Sequence, residues 1–441
     1  YLFKSSDLGE SWESISNNIP DRTLVWRFVQ DHIKKDLFFL ATEYGIYTSL
    51  NAGKNWQKLP GSPTISFKDI VIQERENDLI GASFGRGFFV LDDFSALREM
   101  SEDNLSKKGK LFEPRDAKLY KPRNSYGNTG AQFYVAKNPE YGAVFTYHLK
   151  DMPKTSKSKR IQSERKLNSD KKDVPFPGYD AISKEMNEKP ASIILTIKDS
   201  EGNHIRNVKK NASNGSGRIA WNLRHKSYFP VRAGSSGPRW GYFNPSGPYV
   251  TPGEYHAEFY LENNGSVEKL DGPISFNVKP LRKGTLEGAS YDDYNSFRIR
   301  VSNLYIEMSK YQDEFNMMKT KIELLDKASL QLETFSPEIM KKISDFKTKY
   351  NAFDSETDGN PAKAEIGEWD KPSISMRTQI AMQGLSTSYG PTDLNKSNLD
   401  IAEKLFDKLA LDVKMFKSEL ESLENEVKEL NPPHLSGSGI N

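Results

Sequence analysis

An eight-residue pattern occurs twice near the start of the chain and restricts what this region can fold into. It reads Ser-x-Asp/Asn-x-Gly-x-x-Trp, and the two tryptophans lie 44 residues apart. Asp or Asn followed two positions later by Gly favours a tight turn, because the side chain caps the turn and Gly tolerates positive φ. We predict two hairpin turns, each with its Trp packed back over the hairpin. The pattern residues are Ser5, Asp7, Gly9 and Trp12 in the first copy and Ser49, Asn51, Gly53 and Trp56 in the second.

A third, related unit follows the two copies and covers residues 67–93. Its segment 77–83 corresponds in position to segment 35–41 of the preceding unit, and the unit closes with Gly-Arg-Gly-Phe-Phe-Val-Leu-Asp-Asp at 85–93. A period of about 40–45 residues is typical of one four-stranded blade of a β-propeller. The spacing therefore predicts propeller blades over residues 1–95.

These segments resemble the BNR, or Asp-box, repeats of sialidases, sortilin-type receptors and bacterial glycosyl hydrolase-like propellers. The ending at 85–93 resembles the last blade of the bacterial sortilin-like group. The resemblance implies that the Asp-box residues shape turns away from an axial pocket. Only a little over two blades are present, whereas a closed propeller needs about 4–8. We therefore expect the chain to be the C-terminal portion of a longer protein, with the other blades on its N-terminal part or on another chain.

The middle of the chain predicts an immunoglobulin-like β-sandwich. Residues 96–130 are expected to connect it to the blades, with an edge strand at 112–120, and the sandwich itself is expected over 131–282. Short apolar runs separated by Gly, Asn and Pro support this fold. The predicted strands are 132–135, 142–149, 191–198, 218–223, 253–261 and 273–278. The strand at 217–222, followed later by the segment 252–259, resembles the FlgD-type module of bacterial surface proteins over roughly residues 131–280. This resemblance implies a spacer or a docking surface.

Two insertions interrupt the predicted sandwich, at 151–190 and 226–250. The first is rich in Lys and Arg between 154 and 172, and we interpret it as a solvated, partly disordered loop. The second is aromatic and rich in Gly and Pro. Its alternatives are packing against the blades or helices and a ligand surface for sugar or peptide. The candidate ligand-binding residues there are Arg239, Trp240, Tyr242 and Phe243.

Residues 286–432 are predicted to form an antiparallel helical bundle, followed by a flexible tail at 433–441. Apolar residues at spacings of three and four run from Tyr294 to Leu325, and Ser336-Pro337 predicts the start of another helix. A short helix is expected at 374–384 and a last one at 396–430, whose apolar stripe includes Ile401 and Leu405. The alternative is a coiled coil with another subunit. The overall fold class is multidomain, mainly β and then α.

The chemistry-bearing residues form no recognisable catalytic or cofactor motif. The six histidines lack metal-ligand spacing, and no nucleophile elbow, P-loop or dinucleotide fingerprint occurs. Asp92 and Asp93 are adjacent, so on a strand they point to opposite faces and do not form a glycosidase pair. We expect no catalytic residue, metal or cofactor in this chain. The absence of cysteine excludes disulfides and thiol chemistry, and the near-balanced charge of +2 offers no field for nucleic acid.

Three functions are compatible with this sequence. The first is a secreted, periplasmic or bacterial cell-surface binding or scaffold protein, whose partners are a peptide, a glycan or another envelope protein. The second is a glycoside hydrolase whose paired carboxylates lie in the missing blades. The third is a structural subunit of a surface assembly. No stretch approaches about 18 apolar residues, so no transmembrane segment is expected.

Overall fold

The computed structural model describes residues 2–122, 136–231 and 247–435. It is a mixed structure, 36% helical and 25% strand, with a curled half-barrel sheet and a C-terminal helical region. The chain divides into two compact units. The first contains Tyr1–Leu223 and Pro252–Leu281, and the second contains Arg224–Thr251 and Arg282–Asn441.

The first unit opens with three small antiparallel sheets that follow one another along the chain. Their strand orders are β1-β2, β3-β4-β5-β6 and β7-β8-β9. The strands are β1 (Phe3–Lys4), β2 (Glu13–Ser14), β3 (Val25–Gln30), β4 (Phe38–Thr42), β5 (Gly45–Ser49), β6 (Gln57–Lys58), β7 (Phe67–Gln73), β8 (Asp78–Ser83) and β9 (Phe88–Leu91).

The two central strands of the four-stranded sheet, β4 and β5, are buried on both faces. Because successive side chains of a strand alternate between faces, Phe38 and Leu40 join one cluster with Trp56, and Phe39 joins another with Phe67 of the next sheet. The packing of Phe67 in this second cluster requires a glycine at position 81. A Cβ there would lie 2.9 Å from both the Phe67 ring and the side chain of Ile46.

A buried ion pair joins the third sheet to the second. Arg98, in the short 3-10 helix Ser95–Arg98 after β9, donates from Nε and Nη2 to the two carboxylate oxygens of Asp31, at 2.8 and 2.9 Å. Its Nη2 also donates to Asn77 at 2.7 Å. Burial alone would raise the pKa of Asp31, but hydrogen bonds from Arg98 and from the Lys34 backbone N–H outweigh it and lower that pKa.

Two further sheets of the first unit face each other. One has the strand order β10-β12-β15, and the other has the order β11-β17-β16-β13-β14, in which only β11 and β17 pair in parallel. The Trp221 ring lies between them, with its centroid 5.3 Å from that of the Tyr255 ring and 6.0 Å from that of the Phe276 ring. The elements are α1 (Glu102–Ser106), β10 (Gly109–Leu111), β11 (Ala117–Leu119), β12 (Ala143–Leu149), α2 (Ser156–Ser169), α3 (Tyr179–Asn187), β13 (Ser192–Asp199), β14 (His204–Asn211), β15 (Gly215–Trp221), β16 (Gly253–Asn263) and β17 (Ser266–Pro280).

The basic insertion is helical, so its interpretation as a loop was wrong. Thr155 caps α2 by accepting a hydrogen bond from the Ser158 backbone N–H at 3.1 Å. The segment is rich in Lys and Arg, which are good helix formers despite their mutual repulsion. The predicted strand at 132–135 lies outside the described residues.

Most of the described residues of the second unit outside 224–251 are helical. Its helices are α4 (Tyr291–Ser329), α5 (Pro337–Asp358), α6 (Pro361–Glu365), α7 (Ile374–Gln383) and α8 (Asp393–Lys428). As predicted, Ser336 caps α5 and Pro337 occupies its first turn.

Ion pairs between the long helices define their directions. Arg300 pairs with Asp400 and Lys321 pairs with Glu424, so α4 and α8 run parallel. Lys342 pairs with Glu426 and Lys349 pairs with Glu419, so α5 runs antiparallel to α8. The antiparallel arrangement therefore relates α5 to α8, but it does not relate α4 to α8.

The apolar stripe predicted for the last helix is wrong over its first turns. Ile401 and Leu405 are 40% and 41% exposed, whereas Leu399, Ala402 and Phe406 are buried. From Leu409 onward the predicted stripe enters the core. Repeated steps of four residues drift around a helix with 3.6 residues per turn, so the stripe joins the buried face only later.

The segment between β15 and β16 packs against the helices of its own unit. Tyr228 and Phe229 are stacked with ring centroids 4.9 Å apart, and both make edge contacts with Tyr305 of α4. Burial raises the pKa of Tyr228 to about 12. The candidate ligand-binding residues Arg239, Trp240, Tyr242 and Phe243 lie outside the described residues.

Candidate functional site

The two copies of the eight-residue pattern form turns of the same geometry. Ser5 accepts a hydrogen bond from the Gly9 backbone N–H at 2.7 Å, and Asp7 Oδ1 accepts one from the Ser11 N–H at 2.9 Å. Leu8 takes a left-handed φ of 59°. Polar side chains thus satisfy the turn backbone, as the pattern predicts.

The second turn repeats these contacts between β5 and β6. Ser49 accepts from the Gly53 N–H at 2.9 Å, and Asn51 Oδ1 accepts from the Asn55 N–H at 2.9 Å. The residue in the place of Leu8 is Ala52, with φ 58°. The amide of Asn51 therefore replaces the carboxylate of Asp7 as acceptor.

The two tryptophans of the pattern differ in their surroundings. Trp56 is 2% exposed, and its indole N–H donates to the Ile15 carbonyl oxygen at 2.6 Å. Ile15 directly follows β2, in the repeat before that of Trp56. Trp12 occupies the equivalent position one repeat earlier and is 64% exposed. The Trp56 ring thus packs on the preceding repeat, whereas the Trp12 ring is largely exposed.

A shift in strand register occurs in both β3 and β7, which are the first strands of the second and third sheets. The β3–β4 register shifts between Val25 and Arg27, and the β7–β8 register shifts between Phe67 and Asp69. The residues at the shifts are Trp26 and Lys68. A bulge re-aims its side chain out of the regular alternation of the strand, and here two neighbouring sheets each carry one.

The two bulges bring an aromatic ring and a cation together. Lys68 Nζ lies 3.2 Å from the ring centroid of Trp26 and 5.5 Å from that of Phe84. Trp26 is 44% exposed and Phe84 is 74% exposed. We call these three residues the Trp26–Lys68–Phe84 cluster. An ammonium over an aromatic face is held by the ring quadrupole, so the cation has a defined position at an accessible surface.

Equivalent backbone contacts support both sides of the cluster. The Glu43 N–H donates to the Leu24 carbonyl oxygen at 3.1 Å, and the Phe84 N–H donates to that of Ser66 at 2.8 Å. Each bond joins the residue after the second strand to the residue before the first strand of the same sheet. The positions of Trp26 and Phe84 therefore follow from the repeat, whereas their side chains differ between repeats.

A charged pair lies beside the cluster. Arg27 Nε is 3.5 Å from Asp69 Oδ1, and both side chains are more than half exposed. Exposed pairs of this kind add little stability, about 0–1 kcal/mol. The surface thus combines accessible aromatic rings with nearby cations, and it can hold a ligand that stacks on rings and carries acceptor or anionic groups.

Asp92 and Asp93 follow β9 and have separate surroundings. Burial, together with the charge of Asp78, raises the pKa of Asp92. The carboxylate of Asp93 accepts hydrogen bonds from the Ser95 hydroxyl at 2.6 Å and the Ser95 N–H at 3.2 Å. Arg218 of β15 donates to the backbone carbonyl oxygens of both aspartates. These contacts give the two residues a role at a chain junction.

Metal-ligating side chains do not converge in the described part of the chain. Across residues 2–122, 136–231 and 247–435, no group of three or more His, Asp or Glu is placed to hold a metal ion. Over the same residues, no helix is both long enough and apolar enough to cross a membrane.

Sequence reasoning missed the cluster. Trp26 and Lys68 lie 42 residues apart, close to the period of the repeat, and this spacing was the available signal. Because one residue is aromatic and the other is charged, these two equivalent positions do not stand out as a repeated motif.

No protein-family model matches the chain, and no curated protein matches it. Among solved structures, the extracellular domain of a B. thetaiotaomicron protein described as a one component system aligns with it at 12% identity and a TM-score of 0.18. That alignment covers 63% of this chain and 28% of the other chain.

Proposed function

We propose that this chain belongs to a secreted or cell-envelope binding protein, and that the Trp26–Lys68–Phe84 cluster binds an acidic glycan. The observation that carries the proposal is the ammonium of Lys68, held 3.2 Å from the centroid of an accessible Trp ring. A sugar ring can stack on the exposed aromatics, while its carboxylate meets Lys68. An acidic peptide is the competing ligand, and the binding experiment separates the two.

The proposal includes a propeller of Asp-box blades. Its support is the repetition of the turn, the bulge and the strand-end hydrogen bond in consecutive sheets, with Trp56 packed on the preceding repeat. By the same arrangement, a further blade would cover Trp12. The two facing sheets around Trp221 would then be the immunoglobulin-like module of the same protein.

Binding is tested with the whole chain against soluble acidic polysaccharides, neutral polysaccharides and acidic peptides by isothermal titration calorimetry. We expect binding to an acidic polysaccharide that is lost in Trp26→Ala and weakened about tenfold in Lys68→Met, since a charged hydrogen-bond partner contributes roughly 1.5–3 kcal/mol. Phe84→Ala is expected to weaken it less, because Phe84 lies farther from Lys68.

The matched control is Trp369→Ala. Trp369 is 81% exposed and lies in the helical unit, so its removal deletes a similar ring without touching the cluster. Equal losses in Trp26→Ala and Trp369→Ala, or tighter binding to acidic peptides than to any polysaccharide, would overturn the glycan assignment.

The propeller is tested on the natural protein. Intact mass and N-terminal sequencing show whether further Asp-box repeats precede Tyr1. If they do, the axial pocket of the completed propeller becomes a second place to examine for ligand. A natural chain that starts at Tyr1 requires the remaining blades on another subunit.

A further inference from the structure

The insertion between β12 and β13 contains a helical hairpin formed by α2 and α3. Neither α2 nor α3 has a buried residue. The hairpin is nevertheless held in a defined shape. Arg160 of α2 donates from Nε and Nη2 to both carboxylate oxygens of Glu185 in α3, at 2.8 Å each, and from Nη1 to Glu164 at 2.6 Å.

A second contact fixes the base of the hairpin. The Ser156 backbone N–H, in the first turn of α2, donates to Glu188 at 2.6 Å. These contacts occupy three of the six carboxylates in residues 153–190, whereas the same segment contains ten Lys and Arg residues. Since these contacts use three acidic groups and only one arginine, they leave a hairpin surface dominated by cations.

Most of these cations are exposed. The backbone of Lys171 donates to Asn168 O, and that of Lys172 donates to Leu167 O, which ends α2 in a Schellman motif with Lys171 at φ 55°. Cations at a helix C-terminus complement its dipole, which explains Lys171 and Lys172 but not the cations within α2. The exposed set is Lys154, Lys157, Lys159, Arg165, Lys166, Lys171, Lys172, Lys184 and Lys189.

Large apolar side chains are exposed at the tip and on α3. Phe176 is 64% exposed and Tyr179 is 83% exposed, with their rings in edge contact at 5.2 Å. Met186 is 82% exposed, and Val174 is 38% exposed. Phe176 and Val174 lie within five residues of Lys171 along the chain. The hairpin thus exposes apolar groups beside a set of exposed cations.

We infer that the α2–α3 hairpin docks on an anionic lipid surface, with the Val174–Tyr179 tip in the interface and the lysines over the headgroups. Anionic surfaces attract each nearby Lys or Arg, while aromatic and aliphatic groups gain by entering the headgroup boundary. Nucleic acid or an acidic glycan would satisfy the cations. Neither would need the exposed Val174 and Met186, so the apolar groups favour lipid.

Binding is measured by co-sedimentation of the whole chain with vesicles of phosphatidylcholine, with and without roughly a quarter of phosphatidylglycerol. We expect binding to the anionic vesicles that weakens as salt is raised. Charge reversal in Lys159→Glu/Lys166→Glu is expected to reduce affinity about tenfold or more. Phe176→Ser/Tyr179→Ser is expected to abolish the binding that persists at high salt.

The matched control is Lys319→Glu/Lys327→Glu, which makes the same change of charge at exposed positions on α4. It is expected to leave vesicle binding unchanged. An equal loss in the control would show attraction by net charge alone and would overturn the proposal. Binding to heparin or to nucleic acid without binding to anionic vesicles would overturn it as well.

The depth of the tip is measured with a single dye, because the chain has no cysteine. A polarity-sensitive dye at Pro175→Cys is expected to shift to the blue with anionic vesicles, whereas the same dye at Thr320→Cys is not. Both positions are exposed, so neither substitution disturbs a core. Equal shifts at both positions, or no shift at position 175 in a protein that sediments with vesicles, would contradict insertion of the tip.

Discussion

The indole N–H of Trp56 donates to the carbonyl oxygen of Ile15 across 2.6 Å, and this bond joins two consecutive repeats. Ile15 is itself buried, as is the Trp56 ring. A buried carbonyl that loses its donor retains the cost of its desolvation. The bond therefore distinguishes a Trp that is covered by the preceding repeat from one that is not.

Trp56→Phe is expected to destabilise this chain by about 1–3 kcal/mol, because it removes the donor to Ile15 and part of the ring volume. Trp12→Phe is expected to change the free energy of unfolding by less than about 0.5 kcal/mol, because Trp12 is largely exposed. Urea denaturation of the two variants checks this difference. In a natural protein with preceding blades, the cost of Trp12→Phe is expected to rise toward that of Trp56→Phe, and an unchanged small cost would argue against a blade over Trp12.

The Asp31–Arg98 pair supports a second prediction. Arg98→Met leaves the carboxylate of Asp31, 3% exposed, without its main partner. The expected cost is about 3–5 kcal/mol. The double variant Asp31→Leu/Arg98→Met removes both charges and is expected to cost less. A double variant as unstable as Arg98→Met would contradict this account, and thermal unfolding of both measures it.

The same pair predicts a dependence on pH. The folded pKa of Asp31 is lowered, because the hydrogen bonds of its carboxylate outweigh burial. Its contribution to stability is therefore complete above the ordinary pKa of about 3.9 and is lost as pH falls through the lower folded value. Unfolding free energies measured across acid pH are expected to fall less steeply in the double variant than in the original chain.

The sequence predicts those parts of the fold whose contacts are between residues close together along the chain. The start of α5 at Ser336-Pro337 and the two pattern turns depend on local contacts, and both are present in the structure. The α2 helix was missed because a run of like charges suggested a solvated loop. Its helix formers and its Thr155 cap decided the outcome locally.

The candidate site was less predictable for a physical reason. Trp26 and Lys68 meet because two register shifts turn their side chains toward each other, and a bulge has no fixed sequence signature. The exposure of Ile401 and Leu405 likewise depends on where α8 meets the other helices. Periodicity identifies an apolar face but does not say which part of it has a partner.

The first pattern turn makes a further prediction. Hydrogen bonds from the Ser11 hydroxyl and the Ser11 N–H, together with that of Ser5, lower the pKa of Asp7 to about 2. Ser11→Ala removes the first of these donors, so it is expected to move the pKa of Asp7 up toward 3.8. NMR titration of the side-chain carboxyl carbon measures this shift.

Asn51→Asp provides the matched comparison in the second turn. The introduced carboxyl would accept from the Asn55 N–H and the Ser49 hydroxyl. However, position 55 lacks the serine hydroxyl that Asp7 receives from Ser11. The pKa of the carboxyl introduced at position 51 is therefore expected to be lowered, but by less than the pKa of Asp7. A pKa at position 51 as low as that of Asp7 would show that the hydroxyl of Ser11 is not the main cause.

The last prediction concerns the core of the helical unit, where Tyr350 of α5 stacks on Phe315 of α4. Their ring centroids are 4.0 Å apart and the ring planes differ by 11°. Burial, with the charges of Asp354, Glu323 and Asp358, raises the pKa of Tyr350 to about 12. A raised phenol pKa favours the protonated form, so its contribution to stability is complete below the unfolded value near 10 and is lost as pH rises through about 12.

Tyr350→Phe keeps the stacked ring and removes the ionisable group, so it is expected to lessen the alkaline loss of stability while changing stability at neutral pH little. Phe315→Ala instead removes the stacking partner and is expected to cost about 3–5 kcal/mol at every pH. Urea unfolding at neutral and alkaline pH separates the two effects, and an equal alkaline loss in Tyr350→Phe and the original chain would show that other groups control it.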